Sequence, residues 1–145
     1  TGFKQRRFLI LKLRTMDIAP NLTDEERVTE FGLLLRRFSI DEVPQLINVL
    51  KGDMSFVGPR PLLPEYDDHY SPKQLKRFLV RPGLTGLAQI EGRNGLSWEQ
   101  KFSYDVEYAS KSGFFLDLYI LLKTVPLVLT SAGFSAAGEK KKFSS

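Results

Sequence analysis

The chain has no cysteine and a single histidine, His69, among its 145 residues. Without thiols it can form neither a disulfide framework nor a thiolate metal site, and one imidazole rules out a multi-histidine centre. Any metal would have to be held by Asp, Glu and water, which favours magnesium, manganese or calcium over zinc. Long hydrophobic runs are missing too. No apolar stretch is long enough to span a bilayer, and none has the layout of a signal peptide. Internal repeats and a second domain are absent, and the length suits one domain. A strong charge of either sign is also lacking, since 21 Lys and Arg against 17 Asp and Glu leave a formal net charge of +4. That modest excess suits anionic partners such as nucleotides or phospholipid headgroups. A nucleic-acid module would need cations and exposed aromatics gathered on one face. Here the cations are spread through separate blocks, so no nucleic-acid partner is expected.

The most informative stretch runs from Ser39 to Pro61. It opens on adjacent carboxylates, Asp41 and Glu42. Val43, Leu46, Ile47 and Leu50 follow at i, i+3, i+4 and i+7, which is one apolar face of a helix. Gly52 ends that helix, because glycine takes a left-handed C-terminal position cheaply. Met54 to Val57 reads as a short strand, and Gly58-Pro59-Arg60-Pro61 as a stiff turn carrying one cation. An acidic pair at a helix N-terminus faces free N–H groups and the positive end of the dipole. Two such carboxylates can bind a hard cation such as magnesium, or one of them can attack an electrophilic phosphorus. Arg60 in its rigid turn suits a phosphate clamp. A structural alternative stays open: Ser39-x-x-Glu42 fits a capping box, with Asp41 merely complementing the dipole. Pro44 disfavours that frame, since it would fall inside the helix, whereas Asp41 as N-cap puts Pro44 in the first turn.

Around this stretch, Phe8 to Leu13 alternate as in a strand, with Lys12 and Arg14 on one side. Solvated edge charges would look the same. Thr23-x-x-Glu26 is a capping box, and it predicts a helix from about Asp24 to Arg37 with Val28, Phe31, Leu34 and Leu35 as its apolar face. Arg36 and Arg37 suit its negative end, and at least one of them lies near Asp41. Glu65, Asp67, Asp68 and His69 form a cluster that reads as a solvated loop before a metal site. Ser71 and Pro72 start a short basic helix to about Leu79, with Lys73, Lys76 and Arg77 as its wet face. Arg81 to Gln89 reads as a turn and a short strand. Gly92-Arg93-Asn94-Gly95 is a glycine-flanked loop with a second candidate phosphate-binding arginine. Ser97-x-x-Gln100 caps a helix to about Ser110. Asp105 falls on or beside its apolar face, where a carboxylate needs a partner, and a salt bridge to a site arginine is the economical one. Phe114 to Leu129 predicts an apolar helix, packed on the core or lying in a membrane interface. The segment 134–145 is polar and lysine-rich, and is expected to be a flexible tail.

The Asp41–Pro61 run resembles the signature of the bacterial sugar transferases, the monotopic phosphoglycosyl transferases. Lys12-Leu13-Arg14-Thr15-Met16, Arg81-Pro82-Gly83-Leu84-Thr85-Gly86-Leu87-Ala88-Gln89, Gly92-Arg93-Asn94, Ser97-Trp98 and Asp105-Val106-x-Tyr108 resemble further blocks of that family, in order. The departures, Leu13, Leu87 and Gly95, touch none of the charges. The resemblance implies one helix-rich α+β domain over residues 1–133, with short strands and amphipathic helices at a membrane interface. It implies transfer of a sugar 1-phosphate from a UDP-sugar to polyprenyl (undecaprenyl) phosphate, with magnesium and with release of UMP. Asp41 would be the nucleophile and form an aspartyl-phosphosugar, and Glu42 would help Asp41 hold the metal. Arg36, Arg60, Arg93, Lys12, Asp105, Pro59 and Pro61 would form the substrate site. The implied location is the cytoplasmic face of the bacterial cytoplasmic membrane. The family carries a hydrophobic N-terminal helix upstream of the matched blocks, so the chain is expected to be N-terminally short. The competing reading is an inactive membrane-surface interaction module.

Overall fold

Two short strands hold the middle of the chain. In the computed structural model, which describes residues 1–19, 21–92 and 95–130, β1 (Ser55–Val57) and β2 (Gly83–Thr85) pair in parallel, with Ser55 opposite Gly83 and Val57 opposite Thr85. The strands approach closely because glycine stands on both sides. A Cβ on Gly83 would lie 2.1 Å from the Gly58 nitrogen, and one on Gly58 would lie 2.3 Å from the Arg81 carbonyl oxygen. The pairing continues past the strands, through Gly58 N–H to the Thr85 carbonyl (2.9 Å) and Gly83 N–H to the Pro59 carbonyl (3.0 Å). The turn that carries Arg60 is thereby fixed to the sheet.

Helices cover this pair. α1 (Asp24–Arg27), α2 (Glu30–Arg37) and α3 (Gln45–Leu50) precede β1, while α4 (Leu87–Glu91), α5 (Trp98–Lys111) and α6 (Phe114–Leu129) follow β2. The capping boxes at Thr23 and at Ser97 form as the sequence predicts. One core cluster joins Val57, Leu87, Tyr108 and Ile120. A second is aromatic and joins Tyr70, Phe78 and Phe102. The Tyr108 hydroxyl bridges the first cluster, within hydrogen-bond distance of the Val57 carbonyl (3.2 Å) and of Asp117 Oδ1 (2.8 Å). Burial pushes the Tyr108 phenol up from its ordinary range, and the Asp117 carboxylate adds to the rise. The chain is thus a helix-rich α+β domain. No helix among the described residues is long and apolar enough to cross a membrane.

Several elements differ from the sequence expectation. The predicted helix over 24–37 is two helices, broken at Val28 and Thr29, which are both extended. These β-branched residues favour extended backbone. They pair with 15–17 through Thr29 N–H to the Thr15 carbonyl (3.2 Å) and Asp17 N–H to the Arg27 carbonyl (2.8 Å). Thr29 then caps α2 by accepting from Gly32 N–H (2.9 Å). Phe31 and Leu34, assigned to the buried face, are exposed. Residues 8–13 are extended but join no strand ladder, because the side chain of Asn48 takes the place of a neighbouring strand. Its Nδ2 donates to the Leu9 carbonyl (2.7 Å) and its Oδ1 accepts from Leu11 N–H (3.1 Å). α3 is therefore inverted: Gln45 and Asn48 face inward, while Val43, Leu46, Ile47 and Leu50 are exposed. Gly52 ends α3 at φ +81°, as predicted. The basic helix near 72–79 is a 3-10 helix, Gln74–Leu79. The strand expected to run toward Gln89 ends at Thr85, and α4 begins. The predicted tail at 134–145 lies outside the described residues.

The two kinds of glycine here separate in a stability measurement. Gly83→Ala drives a methyl into backbone and should cost about 3 kcal/mol. Gly52→Ala meets open space and should cost only about 1 kcal/mol, for its positive φ. Urea unfolding of the two variants checks the order.

Candidate active site

Ser39 takes a left-handed conformation (φ 56°) and turns the chain out of α2 into a 3-10 turn, Ile40–Glu42. The capping box weighed for Ser39 does not form, and the helix proper starts only at Gln45. Asp41 is therefore not a cap. It sits inside the tight turn, 2% exposed, with its carbonyl accepting from Leu13 N–H at 2.9 Å. Its Oδ2 lies 2.9 Å from Lys12 Nζ as an ion pair, yet makes no aligned hydrogen bond. Lys12 Nζ also stands 3.5 Å from Glu42 Oε1. The same Glu42 oxygen accepts from Arg60 Nη2 at 2.7 Å. Two neighbouring carboxylates thus converge on one ammonium, and one guanidinium holds the outer of the two.

Burial works to raise the Glu42 carboxyl, but Arg60 and Lys12 together outweigh it and hold it below the ordinary range. Arg36 is tied through Nε to Thr15 Oγ1 (2.8 Å). It lines the same cavity of about 760 Å³ as Lys12, Asp41, Glu42 and Arg60. That volume is within the ~300–1,000 Å³ typical of small-molecule sites. Asp41 and Glu42 offer hard oxygen donors that point at a common position, and one Asp41 oxygen lacks a hydrogen bond. That donor set fits magnesium, which needs only one or two carboxylates when substrate phosphates and water complete its shell. No cluster of three or more metal-ligating side chains occurs among the described residues. Glu65, Asp67, Asp68 and His69 lie in a 3-10 helix, Pro64–His69, where the sequence suggests a loop.

Beneath Arg60 lies a buried network that corrects the expectation for Arg77. This residue is 3% exposed and not on a wet face. It donates to Asp105 Oδ2 from Nε (3.0 Å), with Nη2 2.8 Å from the same oxygen as an ion pair, and from Nη1 to the Tyr70 hydroxyl (2.9 Å). Its Nη2 also donates to the Arg60 carbonyl. The rings of Tyr70, Phe78 and Phe102 stand 5.4–5.5 Å from the guanidinium carbon. The site arginine that Asp105 required is therefore Arg77. Burial pushes the Asp105 carboxyl up, and the Arg77 guanidinium opposes the rise. Asp105 serves the site by holding Arg77, which holds the Arg60 turn.

Lys12, Arg36, Asp41, Glu42, Arg60 and Asp105 thus come together around one cavity. Pro59 is buried and tied to β2 through its carbonyl, and Pro61 is half-buried beyond Arg60. Arg93 lies outside the described residues. Sequence reasoning missed Arg77 and Asn48. For Arg77 the signal was available as its complement, an Asp on an apolar face needing a cation. For Asn48 the signal was a polar residue interrupting an otherwise apolar helix.

A family model described as bacterial sugar transferase matches residues 1–131. The chain is similar to an uncharacterized sugar transferase, EpsL, of Bacillus subtilis, at 54% identity over 91% of this chain and 68% of the relative. It is 46% identical to a UDP-glucose:undecaprenyl-phosphate glucose-1-phosphate transferase of Caulobacter vibrioides, over 86% of this chain and 52% of the relative. It is 39% identical to an undecaprenyl-phosphate galactose phosphotransferase of Salmonella typhimurium, over 77% of this chain and 24% of the relative. The chain spans about two thirds of the first relative's length, about half of the second's and about a quarter of the third's.

Two outcomes follow from the charges. Glu42 titrates below the ordinary ~4.3, so its stabilising contribution is complete above that value and is lost as pH falls through its lower folded pKa. Arg60→Ala should move the Glu42 pKa upward, as read by carboxyl NMR. Asp105→Ala strands the Arg77 charge and should cost about 3–5 kcal/mol in denaturant unfolding, whereas Arg77→Met with Asp105→Leu should recover much of that loss.

Proposed function

This chain belongs to the bacterial sugar transferase family, and from that premise we propose that it moves a sugar 1-phosphate from a UDP-sugar to polyprenyl (undecaprenyl) phosphate. The observation that carries the proposal is the buried Asp41 carboxylate, held by an ion pair alone on one oxygen, beside Glu42, Lys12 and Arg60 in an open cavity. A carboxylate oxygen with no aligned hydrogen bond keeps its lone pairs available for attack.

In this reading an Asp41 oxygen attacks the sugar-bearing phosphorus of the UDP-sugar. The new P–O bond forms as the bond to the bridging oxygen breaks, and UMP leaves with that electron pair. The sugar phosphate stays on Asp41 as an acyl phosphate. A phosphate oxygen of polyprenyl phosphate then attacks the same phosphorus, the bond to Asp41 breaks, and the carboxylate is restored. Polyprenyl diphosphosugar is the product. Lys12 orients the Asp41 carboxylate before reaction and can shift to the diphosphate as charge builds there. Arg36, Arg60 and Arg93 balance phosphate charge, as preorganised cations do in phosphoryl transfer. Pro59 and Pro61 keep Arg60 aimed at the acidic pair. Magnesium held by Asp41 and Glu42 would supply further neutralisation of diphosphate charge.

The chain would work at the cytoplasmic face of the bacterial cytoplasmic membrane. α6 supports that placement, since Phe114, Phe115, Leu118, Leu122, Val125 and Leu129 are all exposed on it. Such a face suits burial among headgroups and acyl chains. The same exposed face favours the second reading, a membrane-surface module without catalysis.

UMP release decides between them. With magnesium, detergent-dispersed polyprenyl phosphate and a panel of UDP-sugars, the parent should release UMP from at least one sugar. Asp41→Asn should lower the rate by about 10³-fold or more. Full activity in Asp41→Asn would remove Asp41 as nucleophile. Binding to anionic vesicles without any UMP release from the parent would favour the second reading.

A further inference from the structure

Lys12 stands between two gripped residues. Leu11 N–H donates to Asn48 Oδ1 (3.1 Å), and Leu13 N–H donates to the Asp41 carbonyl (2.9 Å). Asn48 Nδ2 donates to the Leu9 carbonyl (2.7 Å). Leu9, Leu11 and Leu13 are alternate residues, so these bonds lie along one edge of the extended segment. Their partners all come from residues 41–48, the stretch that also carries both carboxylates. Lys12 Nζ reaches those carboxylates at 2.9 Å (Asp41 Oδ2) and 3.5 Å (Glu42 Oε1). The ammonium and its anionic partners are therefore parts of one clamped unit. Asn48 is 2% exposed and does not line the cavity. Both arms of its carboxamide are taken up by the segment. Burying such a group is costly unless it is satisfied, and an apolar side chain would fill the space without that demand. What Asn48 supplies in return is position.

We infer that Asn48 is a positioning residue for the transfer: it holds the 9–13 segment so that Lys12 Nζ stays at the Asp41 carboxylate. The role rests on the transferase reading above. A lysine stem is four flexible carbons long, and that of Lys12 is 40% exposed. It does not fix itself, so the ammonium is only as well placed as the backbone that carries it. A segment free to shift by about an ångström would leave the ammonium to water and Asp41 without the cation that orients it. A misplacement of that size can cost about 100-fold in rate. The rest of the site has its own supports. Arg77 donates to the Arg60 carbonyl, and Arg60 holds Glu42. Loss of Asn48 should therefore fall on the chemical step and not on binding of the UDP-sugar.

Asn48→Leu removes both bonds at similar volume. With saturating UDP-sugar and no acceptor, its burst of UMP should slow by about 100-fold. The UDP-sugar concentration giving half the maximal burst rate should change by less than about 2-fold. Lys12→Met should slow the burst as well. Adding Asn48→Leu to Lys12→Met should then slow it by less than about 2-fold more, because residues that act through one another are not additive. Effects that multiply in the double variant would overturn the role. Leu50→Ala changes the exposed side of the same helix and should leave the burst as it is. Backbone amide exchange reads the clamp itself: Leu11 N–H should be protected in the parent and unprotected in Asn48→Leu. If Asn48→Leu does not fold, Asn48→Gln, which moves the carboxamide one methylene outward, is read in the same way. A folded variant with Leu11 unprotected and a parental burst rate would overturn the inference, as would an unprotected Leu11 in the parent. If the parent releases no UMP from any UDP-sugar, the transferase reading falls by itself. The placement of Lys12 is then read from the 15N resonance of its ammonium, whose hydrogens exchange slowly while ion-paired. Loss of that resonance in the Asn48 variant would support the clamp, and its persistence with Leu11 unprotected would overturn it.

Discussion

A buried guanidinium must have nearly all its donors satisfied, and Arg77 meets that demand by drawing distant parts of the chain together. It takes a carboxylate from α5, a hydroxyl from Tyr70 and the carbonyl of Arg60, inside a cage of aromatic rings. Removing a charge like this from water costs several kcal/mol unless it is paired and hydrogen-bonded. The constraint therefore runs in both directions. Asp105 exists in an apolar helix face because Arg77 needs it, and the Arg60 turn lies where it does because its carbonyl completes the set. The aim of the Arg60 side chain at Glu42 rests on this pair, although neither Arg77 nor Asp105 belongs to the acidic pair itself.

Asn48 does comparable work on the other side. An extended segment with no neighbouring strand would leave its N–H and carbonyl groups to water or unpaired. One carboxamide supplies both a donor and an acceptor in the spacing of a strand partner, and Leu13 N–H reaches the Asp41 carbonyl further on. Between these two anchors Lys12 has little freedom. The acidic pair is thus positioned by two polar side chains, each 2–3% exposed, that touch neither carboxylate.

Much of this was legible in the residues. The acidic pair, the fixed Arg60, the Gly52 stop, the capping boxes at Thr23 and Ser97, and the extent of α6 follow local rules of capping, turn chemistry and period. The errors have two causes. Periodicity marks an apolar stripe without saying whether protein or something else covers it, so Val43, Leu46, Ile47 and Leu50 read as a core face and are exposed. Phe31 and Leu34 repeat the same error on α2. The break at Val28 and Thr29 depends on pairing with 15–17, and the burial of Arg77 depends on Asp105, 28 residues away. Such tertiary partners override local propensity, and neither contact is announced by capping, turn chemistry or period. The loop with Arg93 lies beyond the described residues, so its part in the site rests on the resemblance alone.

The separation of these partners bears on how the protein is made. The Arg77–Asp105 pair closes 28 residues and the Asn48–Leu9 bond closes 39. Closing a loop of about 30 residues costs roughly 3 kcal/mol in chain entropy before any contact rewards it. Contacts of this range form slowly, and they form together or not at all. A growing polypeptide therefore presents the apolar sides of α3 and α6 to its surroundings while the site has no shape. During synthesis, the surface that is an asset in the finished protein is a hazard for self-association. A bilayer or a chaperone close to the ribosome would then matter as much to the yield of active protein as any residue in the site.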